Sequence, residues 1–323
     1  MIEVRALSRS YGGLQAVSGV SFDIDHGEIV GLLGHNGAGK TTIMKMLTGY
    51  LEPSSGSIRI DGLDLAKQRR LVQRRVGYLP ENCPLYPEHT VLDALDYQAV
   101  LHGIPSSERP AAIRQAVERT ALQAKAGALV ATLSRGYRQR LGVAQAILHS
   151  PKILILDEPT NGLDPTQIQH MRGLIQELAR DATVIVSTHV LQEVEAVCSR
   201  VLIMSGGRLA LDSDLNAIGR HPRLLVTLDR PVAEATTMLS ALPGVSAVDV
   251  LNVDAGLSRL ALNMADARAA APAVAQAISA RGWALFGLAP ERRDLEALFR
   301  ATSGAGVPAS TDSVETDQEA IHV

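Results

Sequence analysis

A glycine-rich segment near the start of the chain has the spacing of a loop that binds phosphate groups. It runs Gly34-His35-Asn36-Gly37-Ala38-Gly39-Lys40-Thr41-Thr42 and fits the pattern G-x-x-x-x-G-K-[ST]. The glycines let successive backbone N–H groups point at phosphate oxygens. Lys40 can reach the outer phosphates, and the Thr41 hydroxyl can ligate Mg²⁺. The segment predicts a nucleoside triphosphate site, and we expect the Lys40 side chain to be exposed when no nucleotide is bound.

The residues on either side of this loop predict the elements that hold it. The apolar run from Gly27 to Leu33 indicates a buried strand, and Ile43 to Leu47 has a helical pattern. A helix that begins at the loop adds unpaired N–H groups and a partial positive charge. Strand, loop and helix together form the context in which this pattern binds phosphate.

A pair of carboxylates follows a second apolar run. Residues 153–156, Ile-Leu-Ile-Leu, are typical of a strand that is buried on both faces of a parallel sheet, and Asp157 and Glu158 come next. Sheets of this type bind ligands at the carboxyl ends of their strands. We predict that Asp157 holds Mg²⁺, directly or through water, and that Glu158 is the general base for the attacking water.

With these two motifs in place, the chain resembles the nucleotide-binding subunits of ATP-binding-cassette (ABC) transporters over residues 1 to about 215. Three further segments stand in the family's order and resemble its signature motif, its D-loop and its switch-histidine motif: Leu133-Ser134-Arg135-Gly136-Tyr137, Gly162-Leu163-Asp164 and Ser187-Thr188-His189. Tyr11 stands where the family has an aromatic residue that stacks on adenine, and Glu81 occupies the Q-loop position. The order of all these motifs is more specific than any one of them.

The resemblance implies a dimer in which two cassettes face head to tail with two ATP molecules between them. Ser134 and Gly136 of one chain would contact the γ-phosphate held by the other, at the start of a helix. His189 would bind the γ-phosphate and help to fix the water, and Asp164 would connect the two sites. The implied partners are a second copy or a related cassette, together with an integral membrane permease.

Two positions depart from the common family pattern. Glu81 replaces the usual glutamine, and its carboxylate would still ligate Mg²⁺ while adding negative charge near the phosphates. In the signature, Arg135 and Tyr137 replace glycine and glutamine, whereas Ser134 and Gly136 are kept. Together with Pro84-Leu85-Tyr86-Pro87, these variants resemble an exporter branch that includes gliding-motility, copper-processing and multidrug types. They favour export over import.

The pattern of elements predicts an α/β fold with two domains and a tail. We expect a P-loop NTPase core of the ABC-cassette type over 1–220, with a helical subdomain at about 83–150. Over 221–301 the order β-α-β-β-α-β predicts a small α+β ferredoxin-like domain. The polar segment 302–323 is expected to be disordered, because it contains acidic residues and no lysine or arginine.

Composition narrows the class of protein further. The 323 residues carry a net charge of -3, which argues against a nucleic-acid partner. The two cysteines, Cys83 and Cys198, are far apart and predict reduced thiols in a cytoplasmic protein. We expect no signal peptide and no membrane-spanning run, so any role at the membrane would be peripheral and would require the permease.

Two other functions are compatible with the same motifs. One is a soluble ATP-dependent switch that acts on ribosomes or DNA without a permease. That class usually carries two cassettes or a long coiled-coil insertion, and this sequence shows one cassette and no heptad insertion. The other is an ATP sensor that does not hydrolyse, a possibility raised by Glu81.

Overall fold

The computed structural model describes residues 1–215, 223–254, 256–291 and 295–304. In the first range the strands are β1 (Ile2–Tyr11), β2 (Leu14–Ile24), β3 (Ile29–Leu33), β4 (Ser55–Ile60), β5 (Leu63–Asp64), β6 (Val76–Leu79), β7 (Ile153–Asp157), β8 (Thr183–Thr188), β9 (Arg200–Ser205) and β10 (Arg208–Asp214). The helices are α1 (Lys40–Leu47), α2 (Arg69–Gln73), α3 (Val91–Leu101), α4 (Arg109–Arg119), α5 (Arg135–Ile147), α6 (Pro165–Leu178) and α7 (Leu191–Val197).

A six-stranded sheet in the order β10-β9-β3-β8-β7-β6 forms the centre of this range. Its strands are parallel except for β10, which runs antiparallel to β9. β7 is buried at every residue, as its run of aliphatic side chains requires for a strand with both faces covered. The carboxyl ends of β3, β8 and β7 are therefore neighbours at one edge of the sheet. The phosphate loop and the Asp157-Glu158 pair follow two of these ends.

A second sheet covers one side of the core. It is antiparallel, in the order β2-β1-β4-β5, and its aliphatic side chains share one buried cluster with α1 and with the central sheet. β1 and β2 are joined by a tight turn, in which Tyr11 pairs with Leu14. This hairpin places Tyr11 at the end of the sheet, on its surface.

The segment predicted as a helical subdomain contains α3, α4 and α5 with two short 3-10 turns, Gln123–Lys125 and Val130–Thr132. α3 begins at a capping box, because Thr90 and Asp93 each accept a hydrogen bond from the other's backbone N–H. It ends at Leu101, just before the sequence Gly103-Ile104-Pro105. The three helices share a second buried cluster with β7, β8 and α6.

The later residues form a separate antiparallel sheet with two helices. Its elements are β11 (Arg223–Leu228), α8 (Val232–Ser240), β12 (Val245–Asp254), β13 (Leu257–Met264), α9 (Ala267–Ser279) and β14 (Leu285–Pro290). The strand order is β12-β13-β11-β14, and the inner faces of α8 and α9 pack on it in one cluster. This is the element order expected of a ferredoxin-like domain. The predicted boundary at 220 lies outside the described residues.

A final helix, α10 (Leu295–Gly304), returns to the first 215 residues. Its Leu295 and Phe299 are buried with Leu33, Val194 and Ile203. We expected residues 302–323 to be disordered, but the helix continues to Gly304, and residues 305–323 lie outside the described part of the chain. Among the described residues, no helix combines the length and apolar character needed to cross a membrane.

The contact between β6 and α5 leaves no room for a side chain at Gly77. A Cβ there would lie 2.1 Å from the Ala146 carbonyl oxygen, which belongs to a helix backbone and cannot move alone. We expect Gly77→Ala to lower the free energy of unfolding by about 3 kcal/mol, through overpacking. Urea unfolding followed by circular dichroism measures this as a fall in the midpoint.

Gly173→Ala is the matched control for this prediction. Gly173 is exposed in α6, and a Cβ there has no heavy atom within 4 Å. Because alanine favours a helix over glycine, this change should raise stability by about 1 kcal/mol. An unchanged midpoint for Gly77→Ala would show that α5 does not pack against β6 as described.

Candidate active site

The phosphate loop joins the end of β3 to the start of α1, and glycine is needed there for two reasons. Gly39 precedes the helix with a φ of 102°, in the left-handed region that residues with a Cβ rarely adopt. Gly34 lies against the backbone of β9, where a Cβ would be 2.7 Å from the Met204 carbonyl oxygen. The loop is thus seated on the sheet, and its backbone can approach a phosphate closely.

Lys40 is the cation of this loop, and it is only 5% exposed. Its Nζ donates to the carbonyl oxygens of Gly34, at 2.7 Å, and of His35, at 3.4 Å. It also lies 3.5 Å from Glu158 Oε1. The expectation that this side chain would be exposed is therefore wrong, because the ammonium group folds back onto the loop's own carbonyl groups.

Asp157 ends β7 and is fully buried. One oxygen, Oδ1, accepts hydrogen bonds from the Ser187 hydroxyl and, at 3.4 Å, from the Thr41 hydroxyl. The other, Oδ2, is buried with no hydrogen-bond partner. A buried carboxylate oxygen is costly without a partner. Oxygen atoms of this kind fit Mg²⁺, which prefers carboxylate and hydroxyl ligands.

Glu158 follows in a left-handed backbone conformation, with a φ of 49°. This is unusual for a residue other than glycine, and such strain is found most often at functional sites. Its N–H donates to the carbonyl oxygen of Ser187 at 3.1 Å and to its hydroxyl at 3.0 Å. The turn directs the carboxylate to Lys40 on one side and to His189 on the other, where Oε2 and Nδ1 are 2.9 Å apart.

A buried network behind these residues was missed by the sequence reasoning. Glu193 accepts hydrogen bonds from Thr160, at 2.5 Å, and from Thr188, at 3.0 Å. It therefore ties the segment after Glu158 to the segment before His189. Ser187 was also missed as a site residue. A signal for it existed, because Ser187 lies one residue before the end of a strand, and parallel sheets bind ligands at the carboxyl ends of their strands.

The signature residues and the D-loop residue Asp164 lie at the starts of two helices that contact each other. Ser134 caps α5 and accepts a hydrogen bond from the Tyr137 N–H at 3.4 Å. Asp164 caps α6 in the same way, with the Gln167 N–H at 2.9 Å. Gly136 lies against α6, because a Cβ there would be 2.6 Å from the Gln167 side chain. Ser134, Gly136 and Asp164 thus form contacts within α5 and α6 and not with the phosphate loop.

The two remaining predicted residues, Tyr11 and Glu81, are exposed. Tyr11 is 45% exposed, and the guanidinium carbon of Arg9 lies 4.7 Å from its ring centre. Glu81 follows β6 and lines a groove together with Thr41 and Asp157. Glu81 therefore lines the same groove as the predicted metal ligands, and the exposed Tyr11 ring is accessible to a base.

This groove, of about 850 Å³, lies between the core and the helical segment. His102 and His149 stack across it with their ring centres 3.9 Å apart. Burial, reinforced by His102, lowers the pKa of His149 to about 4. Burial, together with the charges of Asp157 and Glu81, raises the pKa of the Tyr78 hydroxyl.

Comparison with known proteins decides the family. The sequence pattern of the family described as ABC transporter matches residues 17–161. A methionine import ATP-binding protein of Caulobacter vibrioides is 36% identical over 253 residues, which are 76% of each chain. The chain belongs to the ABC transporter family. Its first 215 residues, the cassette, therefore bind and hydrolyse ATP.

Two further similarities bear on this cassette. A Nod factor export ATP-binding protein of Rhizobium etli is 38% identical over 212 residues, 64% of this chain and 66% of that protein. A solved ATP-binding subunit of an ABC transporter is 32% identical, with a TM-score of 0.62 over 68% of this chain and 91% of its own. The predicted P-loop NTPase fold of the ABC-cassette type is confirmed.

The depressed pKa of His149 makes stability depend on pH. Its value of about 4 in the folded chain compares with 6.5 for an ordinary histidine. The unfolded chain binds more protons between these values, so the free energy of unfolding falls as pH drops from about 6.5 to about 4. The free energy of unfolding should fall by on the order of 3 kcal/mol over this range. Above pH 6.5 the stabilising contribution of neutral His149 is complete. Urea unfolding at several pH values measures it.

His149→Gln should flatten this pH dependence, because glutamine keeps a donor for the Val76 carbonyl oxygen and does not titrate. His170→Gln, at an exposed position of α6, should leave it unchanged. An equally steep loss of stability in His149→Gln would show that another group is responsible.

Proposed function

We propose that this cassette powers the export of a substrate through a separate membrane permease, as a peripheral subunit on the cytoplasmic face of the membrane. The observation that carries the proposal is the direct contact of Lys40 with Glu158, and of Glu158 with His189. A cation suited to phosphate, a carboxylate suited to take a proton and an imidazole suited to orient water meet in one cluster. Such an arrangement serves phosphoryl transfer to water, in which positioning and charge stabilisation do most of the work.

In this cluster Glu158 is the general base. The Glu158 carboxylate is almost buried, and the backbone turn at Glu158 is fixed by two hydrogen bonds to Ser187. The carboxylate is therefore held in one orientation. The triphosphate competes with Glu158 for Lys40, because both are anions. Once Lys40 turns to the phosphates, Oε1 is available to accept a proton from the attacking water. His189 holds the other carboxylate oxygen and lies within reach of the same water.

The chemistry of the oxygen donors supports Mg²⁺ as the cofactor that accompanies ATP. Asp157 Oδ2 and the Thr41 hydroxyl would hold it, and Glu81 at the edge of the groove is the third candidate. When bound, Mg²⁺ neutralises charge on the phosphates. Lys40 and His189 would add contacts to the phosphates beside those of the loop's backbone N–H groups.

The site requires a second chain. Ser134, Gly136 and Asp164 form their contacts within the α5–α6 pair, at helix starts that suit an anion. A second copy, or a related cassette, would bring this surface to the γ-phosphate bound at Lys40. We therefore propose that ATP closes a head-to-tail dimer and that hydrolysis opens it.

The permease would dock at the groove and at the helical segment beside it. Residues 82–105 carry a set of exposed apolar and aromatic side chains, namely Tyr86, Leu92, Tyr97, Val100 and Leu101. Exposed apolar surface of this extent is typical of a protein-binding site. The relatives include both an exporter and an importer subunit, and the Glu81 and signature variants favour export.

Glu158→Gln tests the catalytic part of the proposal. It removes the base and keeps the size of the side chain, so hydrolysis should fall by ~10² or more while ATP binding persists. The closed dimer should accumulate in the presence of ATP. Phosphate release, nucleotide binding and size-exclusion chromatography measure the three effects.

Glu195→Gln, at an exposed position of α7, is the control and should behave as the native protein does. Turnover that survives in Glu158→Gln would remove this residue from the role of base. Co-sedimentation with membranes that contain a candidate permease distinguishes a transporter subunit from a soluble switch. A chain that hydrolyses ATP yet never associates with a permease would support the switch.

Glu81 provides a separate prediction. Glu81→Gln keeps one oxygen ligand and removes a negative charge beside the phosphates, so ATPase activity should be intact or raised. Glu81→Ala should weaken permease-stimulated hydrolysis more than basal hydrolysis, because it also removes the proposed hinge contact between the core and the permease-facing segment. Metal titrations of both variants, with and without the permease, measure this. A complete loss of hydrolysis in Glu81→Gln, with normal binding of Mg·ATP, would show that the carboxylate takes part in the chemistry.

A further inference from the structure

The helix α10 lies against the part of the cassette that supports the phosphate loop. Leu295, Leu298 and Phe299 recur at the spacing of one helix face, and Leu295 and Phe299 are 2% and 8% exposed. They belong to one apolar cluster with Leu33, the last residue of β3, and Ile203 of β9. The phosphate loop begins directly after Leu33.

Phe299 extends this contact to the loop itself. Its ring centre lies 4.6 Å from that of His35, with the two rings inclined by 38°. This is within the range in which aromatic rings attract each other. His35 is the second residue of the phosphate loop, and it is an exposed residue.

The backbone of His35 leads from this ring contact to the reacting groups. Its carbonyl oxygen accepts hydrogen bonds from Lys40 Nζ, at 3.4 Å, and from the Ala38 N–H, at 3.1 Å. Any rotation of the His35 peptide would therefore move an acceptor of the Lys40 ammonium group. A loop that is already ordered binds a ligand more tightly, since less conformational entropy is lost on binding.

We propose that Phe299 is a positioning residue for the phosphate loop: its ring fixes His35, and the fixed loop binds the triphosphate with higher affinity. Phe299 acts through His35 and does not touch the phosphates. Leu295, one turn earlier on the same helix, lies in the aliphatic cluster and provides the matched comparison. Both residues stabilise the helix, but the ring contact with the loop is made by Phe299.

The test uses the purified full-length chain and separates affinity from turnover. Phe299→Ala should raise the Kd of a fluorescent ATP analogue, measured without hydrolysis, and the KM for ATP by roughly threefold to tenfold, the factor expected from one aromatic pair. The kcat should change by less than about twofold, because the base and the phosphate contacts are intact once ATP is bound. Phe299→Tyr, which keeps the ring, should restore both constants.

Leu295→Ala should lower the thermal midpoint of unfolding and leave Kd and KM within about twofold of the native values. The variant with both His35→Ala and Phe299→Ala should bind no more weakly than His35→Ala alone, since both changes remove the same contact. The proposal is overturned if Phe299→Ala leaves Kd unchanged. It is also overturned if Leu295→Ala raises Kd by the same factor. The same holds if the effects of His35→Ala and Phe299→Ala on Kd are additive in the double variant.

Discussion

The pairing of β8 with β3 on one side and β7 on the other determines the geometry of the whole cluster. Leu33 pairs with Thr188, and Asp157 pairs with Ser187, so the three strands end at the same level of the sheet. A slip of one residue would turn every side chain to the opposite face. Asp157 would then point away from Thr41. The long apolar runs of these strands, buried on both faces, hold this register.

The burial of charged side chains at that edge of the sheet costs free energy, and the arrangement of these side chains indicates what kind of ligand they bind. Lys40 and Glu158 are each less than a tenth exposed, and an ion pair removed from water gains little over an apolar pair of the same size. Asp157 adds a buried oxygen without a partner. Stability alone does not explain this set of groups. The same groups are complementary to the triphosphate that a cassette of this family binds and to the Mg²⁺ proposed to accompany it.

How much the sequence predicts depends on whether the interacting residues are neighbours in the chain. The phosphate loop and the Asp157-Glu158 pair are contiguous, and so the order of residue types alone is enough to recognise them. The contact of Lys40 with Glu158, the hydrogen bond of Thr160 to Glu193 and the contact of Phe299 with His35 join residues that are distant in sequence. They depend on strand register and helix packing, which no local pattern specifies. The length of α10 beyond residue 301 was missed for the same reason, since the helix is held by its contacts with the cassette.

The unusual signature residues have structural counterparts in the same chain. Arg135 lies over Gly162 so closely that a Cβ on Gly162 would be 2.4 Å from its guanidinium carbon. Tyr137 lies between Lys125 and Arg140, each 5.8 Å from its ring centre. Ser134 and Gly136, which would meet a phosphate, are unchanged. Arg135 therefore contacts the D-loop, Tyr137 contacts basic side chains, and neither is one of the two residues proposed to meet a phosphate. In the proposed head-to-tail dimer, the contact of Arg135 with Gly162 would join the signature and the D-loop at the second nucleotide.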